Sequence, residues 1–374
     1  MKKLSELKNN QERREHLEKI LKISLENTGA VMVDEEKMVH CENLVGAVSV
    51  PLGVAGPLKI AGEYTDGEYY LPLATTEGAL VASVNRGCKA IRESGGANVY
   101  SYSVGVTRGP AFDVKSIAGN RKMFKWLKAN EKEIAQVTQS TSKHLTYKKM
   151  VIKSSASYVF IRFYFDTDNA MGMNMATIAT EAAVRLIEKE TGFRCLSVAG
   201  NFDIDKKPAW INFIENRGKK VWSEVIIPKK ILREVLKVDA QTLFDCWLAK
   251  CMIGSAMSGS LGFNAHFANN IAAIYIATGQ DPAHVVEGSM GITTTKVLPN
   301  GDLYASVYLP AVLVGIVGGG TKLKTQQESL SMIGVKSSLA LAEVIGGAVL
   351  AGEISLLASQ AEGSLGKAHQ KLGR

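Results

Sequence analysis

Between residues 98 and 199 the apolar pattern changes period in a fixed order, and that order restricts the architecture more than any other feature of the chain. Alternation over 98–106 predicts a strand, 114–129 a helix, 135–139 a short strand, 157–165 a strand, 175–189 a helix and 195–199 a last strand. The order β-α-β-β-α-β is that of a ferredoxin-like unit. The flanking sequence differs in character. Residues 42–108 mix turns, strands and one helix, and Ala- and Leu-rich helical stretches follow at 228–236, 240–257, 265–278, 334–345 and 348–359. At 374 residues the chain is too long for one typical core. The expected fold class is α+β. A large mixed α/β domain comprises 42–108 and 200–374, an inserted ferredoxin-like domain 109–199, and a small helical region 1–41, within which 4–27 reads as a charged amphipathic helix.

Within this frame, Asp205-Lys206-Lys207-Pro208-Ala209 stands out, because adjacent cations between an acid and a proline suit neither a core nor a flexible tail. The run lies between a β-type segment, 196–202, and the apolar run 210–214, at a strand-to-strand or strand-to-helix corner where side chains can converge. Read alone, it is either a ligand site or a solvated charged turn. Glu77, in Ala74-Thr75-Thr76-Glu77-Gly78, is expected in the first turn of a helix over 79–92 with Thr75 or Thr76 as its N-cap, a place where a carboxylate often only complements the helix dipole. Gly279-Gln280-Asp281-Pro282 closes a helix over 269–278, and His369 stands in a short polar tail after a long apolar helix.

The net charge of +8 and pI of 9.1 suit anionic ligands. Nucleic acid is not expected, since the basic residues are scattered and do not alternate with aromatics. The five cysteines, Cys41, Cys88, Cys195, Cys246 and Cys251, show no metal-ligand spacing, so no metal site is expected, and an odd, scattered count favours reduced thiols in the cytoplasm. The polar start lacks an apolar signal region, and the uncharged stretches 254–280 and 303–321 are broken by Asn, Ser, Gly and Pro, so a soluble protein without a membrane partner is expected.

Further ordered motifs accompany these: Glu42-Asn43-Leu44-Val45-Gly46, Pro51-Leu52-Gly53-Val54-Ala55-Gly56-Pro57-Leu58, Val106-Thr107-Arg108-Gly109-Pro110, Ala170-Met171-Gly172-Met173-Asn174-Met175, Asn264-Ala265-His266 and Val317-Gly318-Gly319-Gly320-Thr321. Together with the motifs around Glu77, Lys206 and Asp281, the sequence from about residue 42 to 374 resembles 3-hydroxy-3-methylglutaryl-coenzyme A (HMG-CoA) reductase, in the form shared by eukaryotes, archaea and some bacteria. The resemblance implies four-electron reduction of HMG-CoA to mevalonate and free coenzyme A with two NADPH, in an oligomer that is at least a dimer with active sites between subunits. It implies Glu77, Lys206, Asp281 and His369 as catalytic residues. Arg108, Ser142, Lys143, Asn169, Met171, Gly172, Met173 and Asn174 are implied at the dinucleotide, and Glu42, Asn43, Ser83, Arg86, Asn201, Lys207 and Asn269 at the substrate.

The residues themselves bear on these roles. The turn over 166–172 leading into a helix near Asn174 aims backbone N–H groups at an anion; read without the resemblance, it is an ordinary strand-turn-helix whose methionines fill the core. Asn169 stands where the family normally has Asp, and Lys143 where Arg commonly grips a 2′-phosphate, which favours NADPH while leaving NADH open. Ala199 replaces a Ser that contacts substrate, and Asp203 departs from the family pattern without an account from sequence. Hydride transfer to a thioester builds charge on its oxygen, so a cation such as Lys206 must stand beside it. His369 fits as the acid for a departing thiolate, within a tail able to close over the substrate, and Glu77 as a second proton donor if it is buried beside Asp281. His266 reads as a packing histidine in a long helix. Two other classes compete: a coenzyme A thioester hydrolase or acyltransferase, which wants a nucleophile paired with a base, and a binding homologue without redox chemistry. A degradative reaction direction also stays open.

Overall fold

The computed structural model describes residues 7–21, 24 and 41–363. Helix α1, Asn10–Leu21, lies within the helix expected over 4–27; residues 7–9 and 24 are not helical, and 4–6, 22–23 and 25–27 fall outside the described residues. There follow β1 Leu52–Gly62, β2 Asp66–Ala74, α2 Leu80–Glu93, β3 Ala97–Arg108 and β4 Ala111–Asp113. Next come α3 Ile117–Ala129, α4 Glu131–Gln139, β5 Thr146–Ser155, β6 Tyr158–Asp166, α5 Met173–Thr191 and β7 Arg194–Ser197. The chain continues with α6 Trp210–Ile214, β8 Gly218–Ile227, α7 Ala240–Trp247, α8 Phe267–Thr278, β9 Ile292–Val297, β10 Leu303–Val312, α9 Lys324–Ile333 and α10 Ser338–Glu362.

Strand β3 joins two sheets. Its first part pairs in parallel with β1 and antiparallel with β8, and its last residues, Val106 to Arg108, pair with β6. On one side the order runs β3-β8-β10-β9, and on the other β7-β4-β6-β5, all antiparallel. Each sheet has its own core. The larger includes Val99, Val221, Leu309 and much of α10, while the smaller draws on residues between Val106 and Ile187 together with Leu313. In β3 and β8 alternate residues point inward, and α2 buries Leu80, Val84, Cys88 and Ile91 at helical spacing, so the periodicities follow burial.

Several expectations are corrected. Residues 135–139 are the second half of α4, whose Ile134 and Thr138 are buried four apart, and the strand expected there is β5, seven residues later. A short strand that was not expected, β4, also follows β3, so residues 98–199 read β-β-α-α-β-β-α-β. The helices expected over 334–345 and 348–359 are the single helix α10. Gly346-Gly347 does not break it. A Cβ on Gly346 would lie 2.6 Å from Val221 Cγ1, and one on Gly347 2.9 Å from Leu58 Cδ2, so the glycines let the helix approach the sheet. Helix α10 is long and apolar enough to cross a bilayer, but 89% of its apolar window is buried inside the fold, which accounts for its composition.

Helix α10 also fixes the start of α8 through a fully buried acid. Glu353 accepts hydrogen bonds from the backbone N–H groups of Ala265 and His266, at 2.8 and 2.7 Å, and from Thr293 Oγ1 at 2.5 Å. His266 accordingly precedes α8 and does not lie within a helix, correcting that expectation. Glu353→Ala leaves three buried donors without an acceptor and is expected to cost about 3 kcal/mol or more, as the midpoint shift in urea unfolding at constant m-value.

Candidate active site

Asp205 and Lys206 lie in the connection between β7 and α6, which makes it a strand-to-helix corner. Lys206 adopts φ +58° and sends Nζ to Asp281 Oδ2 at 2.6 Å. Asp281 follows α8, and its side chain accepts from the N–H of Ala283, opening a short helical turn that continues as Val285–Gly288. Burial alone would raise the Asp281 carboxyl; the Lys206 bond, the Ala283 N–H and nearby His284 outweigh it and hold it below the usual range.

Behind this pair lies a buried network that the sequence reading missed. Arg217, fully buried just before β8, donates from Nη2 to Asp205 Oδ1 at 2.8 Å, from Nε to Thr107 Oγ1 at 2.8 Å and from Nη1 to Glu287 Oε1. His284 Nδ1 lies 2.8 Å from the same Glu287 oxygen, and the Lys206 N–H reaches it at 3.2 Å. Asp205, His284 and Glu287 bring ligand-type atoms within 4.8 Å of one another, and Arg217 supplies the cation between the two acids. A signal existed in the sequence: Asp281, His284 and Glu287 recur every third residue, a spacing that puts side chains on one helical face. Asp203 also gains an account. It is buried, accepts from Arg108 Nη1 at 3.1 Å, and receives the Thr107 hydroxyl on its carbonyl at 2.8 Å.

Glu77 sits elsewhere than expected. It precedes α2, whose N-cap is Ala79; Thr75 Oγ1 accepts from the Glu77 N–H at 3.0 Å, so neither Thr75 nor Thr76 caps the helix. The Glu77 carboxylate accepts from Asn269 Nδ2 at 2.8 Å, in the first turn of α8. Asp281 and Lys206 lie past the other end of this 12-residue helix, about 18 Å long, so within one chain Glu77 is not beside Asp281.

The expected cofactor residues divide between a cavity and its surroundings. Met171, Gly172, Met173 and Asn174 line a cavity of about 560 Å³ together with Asp281 and the loop Val317 to Thr321. Gly172 has φ +88°, and a Cβ there would lie 2.3 Å from Thr167, so only glycine gives this sharp entry into α5. Ser142 Oγ lies 3.6 Å from Met175 Sδ, and Lys143 beside it is exposed. Asn169 uses Oδ1 to accept from the Ser338 N–H at 2.9 Å. Arg108 is not among the cavity's lining residues; it pairs with Asp203 and Asp205, and Arg217 links Asp205 to Met173 Sδ at 3.1 Å.

Of the expected substrate residues, Ser83 and Arg86 face α10, bonding Ser355 Oγ at 3.0 and 3.1 Å. Glu42 and Asn43 form an exposed turn between Cys41 and Leu44, which line a second cavity of about 410 Å³. Asn201, at φ +62°, and Lys207 are exposed on the loop that carries Lys206. His369 lies outside the described residues. The cysteines are free.

Comparison with known proteins fits this arrangement. Residues 9–374 match the family profile of hydroxymethylglutaryl-coenzyme A reductase. The chain is 46% identical over 368 residues to the 3-hydroxy-3-methylglutaryl-coenzyme A reductase of Methanothermobacter thermautotrophicus, covering 97% of this chain and 92% of that one. To the enzyme of Methanocaldococcus jannaschii it is 48% identical over 373 residues, with the same coverage. Its fold matches the class II reductase of Streptococcus pneumoniae solved with bound NADPH, at a TM-score of 0.72 and 20% identity, covering 96% of this chain and 98% of that one. These findings define an oxidoreductase. The chain belongs to the hydroxymethylglutaryl-coenzyme A reductase family.

The Asp205–Arg217 pair yields a pH prediction. Burial raises the Asp205 carboxyl, but Arg217, His284 and Arg108 outweigh it and depress the folded-state pKa. Its stabilisation is therefore complete above the unfolded pKa of about 4 and is lost as pH falls through the lower folded value. Asp205→Asn should lower stability at pH 7 by about 2 kcal/mol, and urea unfolding of both proteins should show the difference narrowing below about pH 4.

Proposed function

We propose that the chain reduces HMG-CoA to mevalonate and free coenzyme A, using two equivalents of NADPH and four electrons. The observation that carries the reading is the Lys206–Asp281 pair beside the cavity lined by residues 171–174. A reduced nicotinamide supplies hydride when bound; the cavity volume, the sharp Gly172 turn and the N-terminus of α5 suit a dinucleotide. Met171, Gly172, Met173 and Asn174 would hold it there, with Ser142 and Lys143 alongside, in an inserted ferredoxin-like domain at 109–199. Use of NADH is the second reading, favoured by the pairing of Arg108 with Asp203 and Asp205, which leaves less of its charge for a phosphate.

Lys206 balances the negative charge that grows on the thioester oxygen, and later on the aldehyde oxygen, while Asp281 holds the ammonium in place. His369 protonates the departing coenzyme A thiolate, and Glu77, steadied by Asn269, donates a proton in the second reduction. Ser83, Arg86, Asn201, Lys207 and Asn269 contact the acyl group, with Glu42 and Asn43 nearer coenzyme A. The separation of Glu77–Asn269 from Lys206–Asp281 along α8 supports an active site completed by a second copy, in a cytoplasmic homo-oligomer that is at least a dimer.

Following nicotinamide absorbance with HMG-CoA tests the reading, and both NADPH and NADH are to be tried. The wild-type protein oxidises the nicotinamide and forms mevalonate, while Lys206→Ala and Glu77→Gln each lose nearly all turnover. Co-expressing the two variants restores about one quarter of the activity, because half of random dimers are mixed and each of those holds one intact site. Full turnover by Lys206→Ala contradicts the role of the cation, and no recovery on mixing contradicts the shared site.

A further inference from the structure

We propose that Glu287 is a positioning residue for the Lys206 ammonium, an inference that rests on the reading of Lys206 given above. Lys206 is held at both ends by acids from one short helical segment. Its Nζ meets Asp281 Oδ2 at 2.6 Å, and its backbone N–H meets Glu287 Oε1 at 3.2 Å. Asp281 caps this segment and Glu287 lies six residues on. The second contact matters because Lys206 has φ +58°, a conformation an L residue keeps only when its surroundings impose it. Without the Glu287 acceptor the peptide can relax to negative φ, which redirects Cβ and swings the ammonium away from Asp281.

Glu287 is itself immobilised. It is fully buried, and the oxygen that receives the Lys206 N–H also receives Arg217 Nη1 and lies 2.8 Å from His284 Nδ1. Arg217 is anchored in turn by Thr107 and Asp205, so the residue preceding Lys206 is gripped by the same guanidinium. Full burial keeps Glu287 from touching substrate, and its effect on the reaction passes through Lys206.

The test is steady-state kinetics of full-length Glu287→Gln, with thermal melting alongside. The amide keeps the shape but weakens the hold of Arg217, and kcat is expected to fall about tenfold or more, with KM for thioester and nicotinamide within about twofold of wild type. The comparison is Glu343→Gln, a buried acid that pins Tyr64 and Thr65 between β1 and β2 and bonds none of the Lys206, Asp281 or Glu287 groups; it should lower Tm and leave kcat unchanged. Where Glu287→Gln does not fold, Glu287→Asp, which withdraws the acceptor by one methylene, should give the same split. A folded Glu287 variant with wild-type kcat, or a KM that rises as much as kcat falls, overturns the inference. Full activity in Lys206→Ala instead removes the reading of Lys206. An inactive Lys206→Ala beside a fully active Glu287→Gln removes only the role of Glu287.

Discussion

The site depends on one buried guanidinium. Arg217 is fully buried just before β8, where its N–H bonds the Pro310 carbonyl at 3.3 Å, and besides Met173 Sδ its donors meet groups from three other parts of the chain. Thr107 belongs to β3, Asp205 to the loop carrying Lys206, and Glu287 to the turn after α8. A buried cation is costly to desolvate and is tolerated only when its partners are in place. The two acids and the hydroxyl provide that compensation, so the segments that build the site are tied to one position.

This arrangement concentrates backbone strain at the loop that carries Lys206. Ile204 and Lys206 both have positive φ, at 50° and 58°, and both flank the Asp205 held by Arg217. A flexible loop would leave a lysine as a mobile surface cation. Here the charge is placed beside Asp281, next to the cavity lined by 171–174 and the 317–321 loop. Helix α8 then carries the two halves of the proposed chemistry at its ends, and Glu353 of α10 fixes where that helix begins.

The sequence made the local pieces legible and left most of the connections hidden. Most strands and helices between β3 and β7 follow from periodicity, but the three-residue β4 was too short to show one, and α4 replaced a strand because a nine-residue helix with two buried positions gives only a short apolar signal. Gly346-Gly347 misled for the opposite reason, since glycine marks close packing as well as a helix end. The pairing of Lys206 with Asp281 was readable from motif context, but the partner of Glu77 was not, because that contact spans 192 residues. Asp203, opaque in sequence, is explained by Arg108, 95 residues away. The three-residue spacing of Asp281, His284 and Glu287 hinted at one face, but their shared cation Arg217 carries no such pattern, and only the folded chain reveals it.

The claim that Arg217 holds the Lys206 loop is tested most directly by amide hydrogen exchange across residues 203–207 in the native protein and in Arg217→Lys, whose single ammonium cannot reproduce the fork. The account predicts a protected Lys206 amide in the native protein and exchange faster by about a hundredfold or more in the variant, with the strands of both sheets unchanged. Equal exchange at Lys206 in the two proteins would contradict it.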